Sequence, residues 1–333
     1  MTDTNPVFRP PKSRRLVSAW MLRENADHAL ARAKQFEDIF DQVIFMCHHA
    51  HLDGSLPTEW PAADRKELAA KFRDMGVSTL NDYSGSTETF VELSRSPNTM
   101  QTLIANMAAE CEETGADGVD IDIEHLPPEN RFAFTDFIAQ LSEALHAEGK
   151  MLSICTNAPS RSSRRDGGIG FLELPTLAHY VDHLRPMNYD LFGPWTPEVV
   201  GPTSTTPWAK ERMAYLAGEV PKHKLVMGLP TYSLDFDLIE PKNSRQVYDY
   251  QWIDERAKES TIRRSWISHW DVSVARYTDA DGHIHLLYVT DAKSTRSHLE
   301  TADLLDLAGV CFWVLRGDDP KIWETVREHF GRS

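Results

Sequence analysis

Cysteine is scarce, with 4 in 333 residues (Cys47, Cys111, Cys155 and Cys311) and no CxxC pair. Each lies in an apolar stretch, which reads as reduced core thiol. No uninterrupted apolar run reaches the roughly 18–20 residues of a membrane span, so no membrane partner is expected. The leading MTDTNPVFRPPKSRR has no apolar signal core. No secretory signal is visible there, which leaves a cytoplasmic location or a non-standard export route. Positive charge is also short: 35 Lys and Arg stand against 50 Asp and Glu, a net charge of −15. Nothing in that balance would draw in a phosphate backbone, so nucleic acid is not an expected partner. Glycine is missing from LVSAWMLRENA, where an open doubly wound sheet would carry GxGxxG after its first strand. No internal repeat is visible.

What is present is a globular composition, 41% hydrophobic and 26% charged, long enough for one large domain or two small ones. Strand-like apolar runs occur at 16–20, 42–47, 77–81, 118–124, 151–156, 183–189, 224–229 and 309–314. Helical patterns separate them. Met100, Leu103, Ile104, Met107 and Cys111 recur at helical spacing before Gly115, and Phe134, Phe137, Ile138, Leu141 and Leu145 do so before Gly149. Near-continuous apolar strands alternating with helices imply a parallel sheet covered by helices. Eight such units favour an α/β fold closed as a (β/α)8 TIM barrel over 15–330, preceded by an irregular lead-in at 1–14. The rhythm breaks after the seventh strand. Residues 231–290 hold a polar helical stretch near 250–260 and two alternating runs around Asp279–Gly282, a hairpin pattern. A small α+β lobe inserted between the seventh strand and its helix is expected to wall the cleft.

The stretch DGVDIDIEHL, residues 117–126, carries the most chemistry. Strand residues two apart share a face. Asp120, Asp122 and Glu124 therefore line one side and Val119, Ile121 and Ile123 the other. The acidic side faces the barrel interior, with Glu124 nearest the C-terminal mouth. Three stacked carboxylates repel, so at least one holds a proton at neutral pH. That supplies the raised-pKa acid a glycosidase needs to protonate a leaving oxygen. The stretch alone leaves two other readings open, a divalent-cation site of hard oxygen ligands and a solvated edge face.

With its neighbours, the sequence resembles glycoside hydrolase family 18, the chitinase-like (β/α)8 barrels. The DGxDxDxE signature is filled by Asp117, Gly118, Asp120, Asp122 and Glu124. MxYD matches Met187-Asn188-Tyr189-Asp190, and GxPxY matches Gly228-Leu229-Pro230-Thr231-Tyr232. GVCFWVL places Trp313 where the family keeps an aromatic floor. The resemblance covers roughly residues 14–330. Asp53-Gly54-Ser55-Leu56, PPENR and VPKHKLVMGLPTY look like the bacterial spore-cortex hydrolase branch, although no LysM wall-binding repeat is visible.

The resemblance implies retaining hydrolysis of β-linked N-acetylglucosamine glycans, chitooligosaccharide or peptidoglycan, by a monomer without a cofactor or metal. The substrate's acetamido oxygen would attack the anomeric carbon and form an oxazolinium ion. Glu124 would be the acid and then the base. Asp122 would orient the acetamido N–H, and Asp120 would share its proton. Tyr189 would hold the acetamido oxygen. Asp190, Trp313, Met187, Tyr232 and Asn188 would line the sugar site, and Arg316 could reach an acidic group. The competing reading is a lectin-like, non-hydrolytic protein on the same barrel, though such relatives usually lack the acid.

Blander roles stand beside these. Tryptophan is highly buried on average, so Trp313 taken alone reads as core, and Arg316 alone as a surface ion-pair partner. His48, His49 and His51 follow the second strand as a metal set or as cleft or surface residues. Trp195 and Trp252 are candidate loop stacking aromatics.

Overall fold

The computed structural model describes residues 15–159, 170–196, 198–258 and 263–332. The expected lead-in at 1–14 and the end of the polar helix at 259–260 lie outside the described residues.

Eight parallel strands close into a barrel. In chain order they are β1 (Leu16–Leu22), β2 (Gln42–His49), β3 (Ser78–Gly85), β4 (Gly118–Ile123), β5 (Met151–Asn157), β6 (His183–Met187), β7 (Val226–Pro230) and, after an excursion, β13 (Gly309–Trp313). The order around the barrel is β1-β13-β7-β6-β5-β4-β3-β2. All eight runs read from the sequence are barrel strands, with ends shifted by a few residues.

Helices α1 (Ala26–Gln35), α2 (Ala62–Asp74), α3 (Thr87–Ser94), α4 (Pro97–Thr114), α5 (Arg131–Ala147), α6 (Leu174–Tyr180) and α7 (Thr206–Glu219) fall between the barrel strands. On α4 the residues Met100, Leu103, Ile104, Met107 and Cys111 are buried, as their spacing demands. Ser96 caps the N-terminus by accepting from the Thr99 N–H, and Gly115 ends the helix at φ 71°, a left-handed position that glycine adopts without a Cβ clash.

Two apolar cores follow from strand alternation. The larger lies between barrel and helices and takes Val119, Ile121 and Ile123 from β4 together with Phe134, Phe137, Ile138, Leu141 and Leu145 from α5. The smaller fills the barrel interior with Leu16, Trp20, Ile44, Leu80, Met151, Cys155, Val226, Cys311 and Val314. β4 therefore sends its apolar side outward and its carboxylates inward.

Between β7 and β13 the chain builds a second, antiparallel sheet. Its strands are β8 (Ser233–Asp237), β9 (Arg245–Val247), β10 (Arg263–Ile267), β11 (Val272–Thr278) and β12 (Ile284–Val289), in the order β10-β11-β12-β8-β9. Helix α8 (Tyr250–Lys258) lies between β9 and β10. β11 and β12 pair as a hairpin around the Asp279–Gly282 turn. The chain then returns through α9 (Ala292–Leu304) to β13, and α10 (Pro320–His329) follows. α9 starts at a capping box in which Asp291 and Ser294 satisfy each other's backbone N–H.

Candidate active site

Barrel chemistry gathers at the C-terminal ends of the strands, and a cleft opens there. Trp20, Asp122, Glu124, Cys155, Met187, Tyr189, Asp190 and Trp313 line it from the barrel, and Gln246 and Tyr248 line it from the lobe. It encloses about 590 Å³ of atom-free space, open mouth included.

Glu124 follows the last residue of β4 at the mouth, with its side chain 35% exposed. Burial raises its pKa above 4.5, opposed by the nearby His125 and by a hydrogen bond from the Asn157 side chain, while the Asp190 charge adds to the rise. Two residues deeper, Asp122 is pushed up to about 8 by burial and by the charges of Glu124 and Asp120. Its Oδ1 is buried without a hydrogen-bond partner.

Asp120 lies at the floor, fully buried, and its oxygens are surrounded by donors. Trp20 Nε1 and Cys155 Sγ donate to its Oδ2 at 3.0 and 3.3 Å, and Ser153 Oγ donates to Oδ1. Arg185 Nε stands 3.4 Å from Oδ1. Arg185, itself fully buried, also donates to Ser18 Oγ at 2.8 Å and to Gln42 Oε1. The cluster thus sits on a built-in cation that the DxDxE pattern does not reveal. An arginine inside the near-continuous apolar run 183–189 was the available signal, because a charge on a buried strand needs a partner.

The MxYD stretch divides between roles. Met187 and Tyr189 line the cleft. Asn188 does not. It is fully buried, with Nδ2 donating to Pro186 O at 2.9 Å and near Met213 Sδ on α7 at 3.2 Å, so the strand alternation turns it to the helix side. Asp190 takes φ 61°, and its N–H donates to Thr203 Oγ1 at 3.0 Å. The Tyr232 hydroxyl donates to Asp190 Oδ1 and accepts from Thr203 Oγ1 at 2.6 Å. Tyr232 is fully buried, so it stands behind the cleft and fixes Asp190 there.

Trp313 is half-buried at the end of β13, edge-on to Trp20 with centroids 6.0 Å apart. Tyr248 stands beside it in the cleft lining, and the Tyr248 hydroxyl donates to Gln246 Oε1 at 3.0 Å. Gln246 and Tyr248 also line a second hollow with Arg245, Val247, Asp249, Trp252, Arg316 and Gly317, about 720 Å³ of atom-free space. The two hollows thus share Gln246 and Tyr248 as a common wall. Arg316 lies 4.9 Å above the Tyr248 ring, and Arg245 and Arg256 lie 4.8 and 4.7 Å from the Trp252 ring. The Trp252 ring already carries two guanidinium groups. Trp195 is 56% exposed and lines neither hollow.

The three histidines do not converge. His48 is buried, its Nε2 beside Arg65 Nη1 at 2.8 Å and Glu110 at 3.2 Å, stacked on Tyr83. His49 meets Ser84 Oγ at 3.1 Å, and His51 is exposed.

The sequence reading missed the cleft residues Trp20, Cys155, Gln246 and Tyr248, and it missed one buried acid near them. Asp82 on β3 pairs in register with Asp120 and is fully buried inside the barrel. Its carboxylate oxygens have no hydrogen-bond partner. Asp82, Asp122 and Cys155 bring one potential donor atom each within 4.8 Å of one another. The Cys155 thiol is pushed well up by burial and the surrounding carboxylates, and it already donates to Asp120, so the trio is poor in cation ligands.

The family-wide sequence pattern of glycosyl hydrolases family 18 matches residues 62–318. The uncharacterized glycosylase YvbX of Bacillus subtilis (strain 168) is 23% identical over 63% of this chain and 60% of its own length. The cortical fragment-lytic enzyme of the same organism is 24% identical over 77% of this chain and 59% of its own. The chain thus spans under two thirds of each of these relatives. Among solved structures, the chitinase of Chromobacterium violaceum ATCC 12472 superposes with a TM-score of 0.84 at 20% identity, covering 96% of this chain and 100% of that one.

Proposed function

The chain belongs to glycosyl hydrolase family 18, and from that membership we propose that it is a retaining glycosidase that cleaves β-linked N-acetylglucosamine glycans by substrate-assisted attack. The observation that carries the reading is the pairing of Glu124 with Asp122. A half-open acid stands at the cleft mouth directly above a buried carboxyl raised to about 8, and Tyr189 and Trp313 line the same cleft.

In this reading Glu124, raised by burial, protonates the glycosidic oxygen and later takes a proton from the incoming water. Asp122 accepts from the acetamido N–H and offsets positive charge on the cyclised ring. The Tyr189 hydroxyl fixes the acetamido oxygen for attack, a proximity effect. Trp313 and Met187 offer an apolar floor. Asp190, fixed by Tyr232 and Thr203, binds sugar hydroxyls at the cleavage point. Asp120 serves from below, since Trp20, Ser153, Cys155 and Arg185 occupy it. The lobe supplies one wall through Gln246 and Tyr248.

The relatives' names span chitinase and cortical fragment lysis, which supports both a chitooligosaccharide and a peptidoglycan substrate. The arginine-lined hollow beside the cleft favours the second. Arg316 and Arg245 at its wall suit a carboxylate on the glycan, and chitin has none.

The test is digestion of chitooligosaccharides and purified peptidoglycan, with products read by mass spectrometry and by proton NMR of the first anomer formed. Release of β-anomers by the wild type, and a loss of about 10²–10⁴-fold or more in Glu124→Gln with the fold intact, is the expected result. Turnover at the wild-type rate by Glu124→Gln, or α-anomers first, contradicts the reading.

A further inference from the structure

We propose that Arg316 is the specificity-determining residue of the site: it receives a carboxylate carried on the glycan, and its neighbour Arg245 does not. The proposal deepens the glycosidase reading above and rests on it.

The two arginines of the hollow differ in what already occupies them. Arg245 Nε lies 3.5 Å from Oδ2 of the buried Asp235, and its guanidinium stands 4.8 Å from the Trp252 ring. Arg316 has no such acceptor. Among the described residues, no carboxylate, carbonyl or hydroxyl takes a hydrogen bond from its guanidinium, which rests on the face of the Tyr248 ring at 4.9 Å. Asp249, the acid that lines the same hollow, accepts from the Trp252 N–H at 3.3 Å and forms no pair with Arg316. Arg316 is half-buried. A guanidinium with five N–H donors, partly removed from water and without an acceptor, is set to take one from outside. A carboxylate suits it, since two oxygens meet the planar fork in parallel.

The chain holds Arg316 in place before any ligand arrives. Gly317 follows at φ 59°, and a Cβ there would lie 2.6 Å from Tyr248 O, so glycine lets the loop after β13 close onto the lobe. The Tyr250 N–H donates to Gly317 O at 2.8 Å. Asp318, buried next in line, accepts from Trp323 Nε1 on α10 at 2.5 Å. From α1, Arg32 Nε and His28 Nε2 stand 3.0 and 3.1 Å from the same carboxylate. Asp319 accepts from the Lys321 N–H at 3.0 Å and caps α10. Barrel helices on one side and the lobe on the other thus clamp the loop that presents Arg316. Little ordering remains to be lost when an acid binds.

The link to the cleft is the shared wall. Tyr248 and Gln246 line both the cleft and the hollow, and Arg316 rests on the same Tyr248 ring. An arm that leaves the bound sugar and crosses this wall reaches Arg316 first. Chitin has no acid to send there. Two sources share the required chemistry: the three-carbon acid ether on the alternate sugar of peptidoglycan, and the terminal carboxylate of a peptide joined to that ether.

The test measures kcat and KM for matched oligosaccharides that bear the free acid ether, a peptide with a free terminal carboxylate, or the amide of each. Wild type, Arg316→Gln and Arg245→Gln are compared. In the wild type, KM for an acid form is expected to lie about tenfold or more below that of its amide at similar kcat. Arg316→Gln is expected to bring the ratio near one, and Arg245→Gln to keep most of it. A difference within the ether pair assigns the carboxylate to the sugar, and one within the peptide pair assigns it to the peptide. A wild type that treats every acid and its amide alike overturns the proposal. So does a ratio that survives Arg316→Gln, as it would if Arg316 served packing alone, or one that Arg245→Gln removes to the same extent. Calorimetric binding of the same four compounds reads the ratio without turnover. Acid preference that depends on Arg316 with no cleavage sinks the glycosidase reading and leaves the recognition standing, whereas cleavage without acid preference does the reverse.

Discussion

Replacing Arg185 by Met tests whether the carboxylate cluster stands on a buried cation. The Arg185 Nε to Asp120 Oδ1 separation is 3.4 Å, with both side chains fully buried. At an effective dielectric near 20 a unit pair at that range is worth about 5 kcal/mol. Breaking one partner of a buried pair costs about 3–5 kcal/mol, because the other charge stays behind. An unfolding entropy of about 2.1 cal/mol/K per residue over 333 residues gives roughly 0.7 kcal/mol/K. Arg185→Met is therefore expected to lower the melting temperature by about 4–7 °C. Met is apolar and long enough to fill much of the space, so packing loss contributes little. Adding Asp120→Asn to Arg185→Met removes the stranded charge and is expected to recover part of that drop. Calorimetry of the wild type, both single variants and the double variant decides the matter. A shift below about 2 °C, or a double variant that melts lower than Arg185→Met, refutes the reasoning.

Two further outcomes follow from the same geometry. Asp122 is raised from 3.8 to about 8, so between those values the folded chain holds a proton that the unfolded chain has lost. Stability contributed by this site therefore falls as pH rises through that window. Asp122→Asn is expected to flatten the decline of melting temperature between pH 4 and pH 8, and an unchanged or steeper decline contradicts the assignment. In the arginine-lined hollow, Arg316→Gln with Arg245→Gln is expected to cut the preference for a carboxylate-bearing oligosaccharide over its amidated form by about tenfold or more, since a charge-assisted hydrogen bond contributes about 1.5–3 kcal/mol. An unchanged ratio in competition digests removes the case for an acidic glycan.

The barrel was legible because its strands are buried on both faces and read as apolar runs, while helices such as α4 carry their stripe at unbroken 3.6-residue spacing. The inward line of Asp120, Asp122 and Glu124 followed from a period of two. What period and motif do not encode is which partner a buried polar group meets across the barrel. Asp82 shows this best. The run read as the third strand stops at Asn81, so the strand appeared to end four residues too early, whereas β3 continues to Gly85 and turns Asp82 inward. Arg185 was hidden for the same reason, since its partners Ser18, Gln42, Ser153 and Asp120 come from four other strands. Asn188 misled in the opposite direction. It belongs to a matching motif, yet it follows an inward residue and therefore packs toward α7. Trp252 carried the right chemistry for sugar stacking, but the arginines over its ring come from β9 and α8, a contact no local pattern announces.

The central claim is that the substrate's own acetamido oxygen is the nucleophile, and the most direct measurement compares matched oligosaccharides with and without the N-acetyl group at the cleaved sugar. Hydrolysis of the acetylated oligomer, with near-total loss for the free amine despite measurable binding, is the outcome the account requires, because an amine has no oxygen to close the ring. Equal cleavage of the two, or a covalent glycosyl-enzyme trapped by mass spectrometry on Asp120 or Asp122, would contradict it.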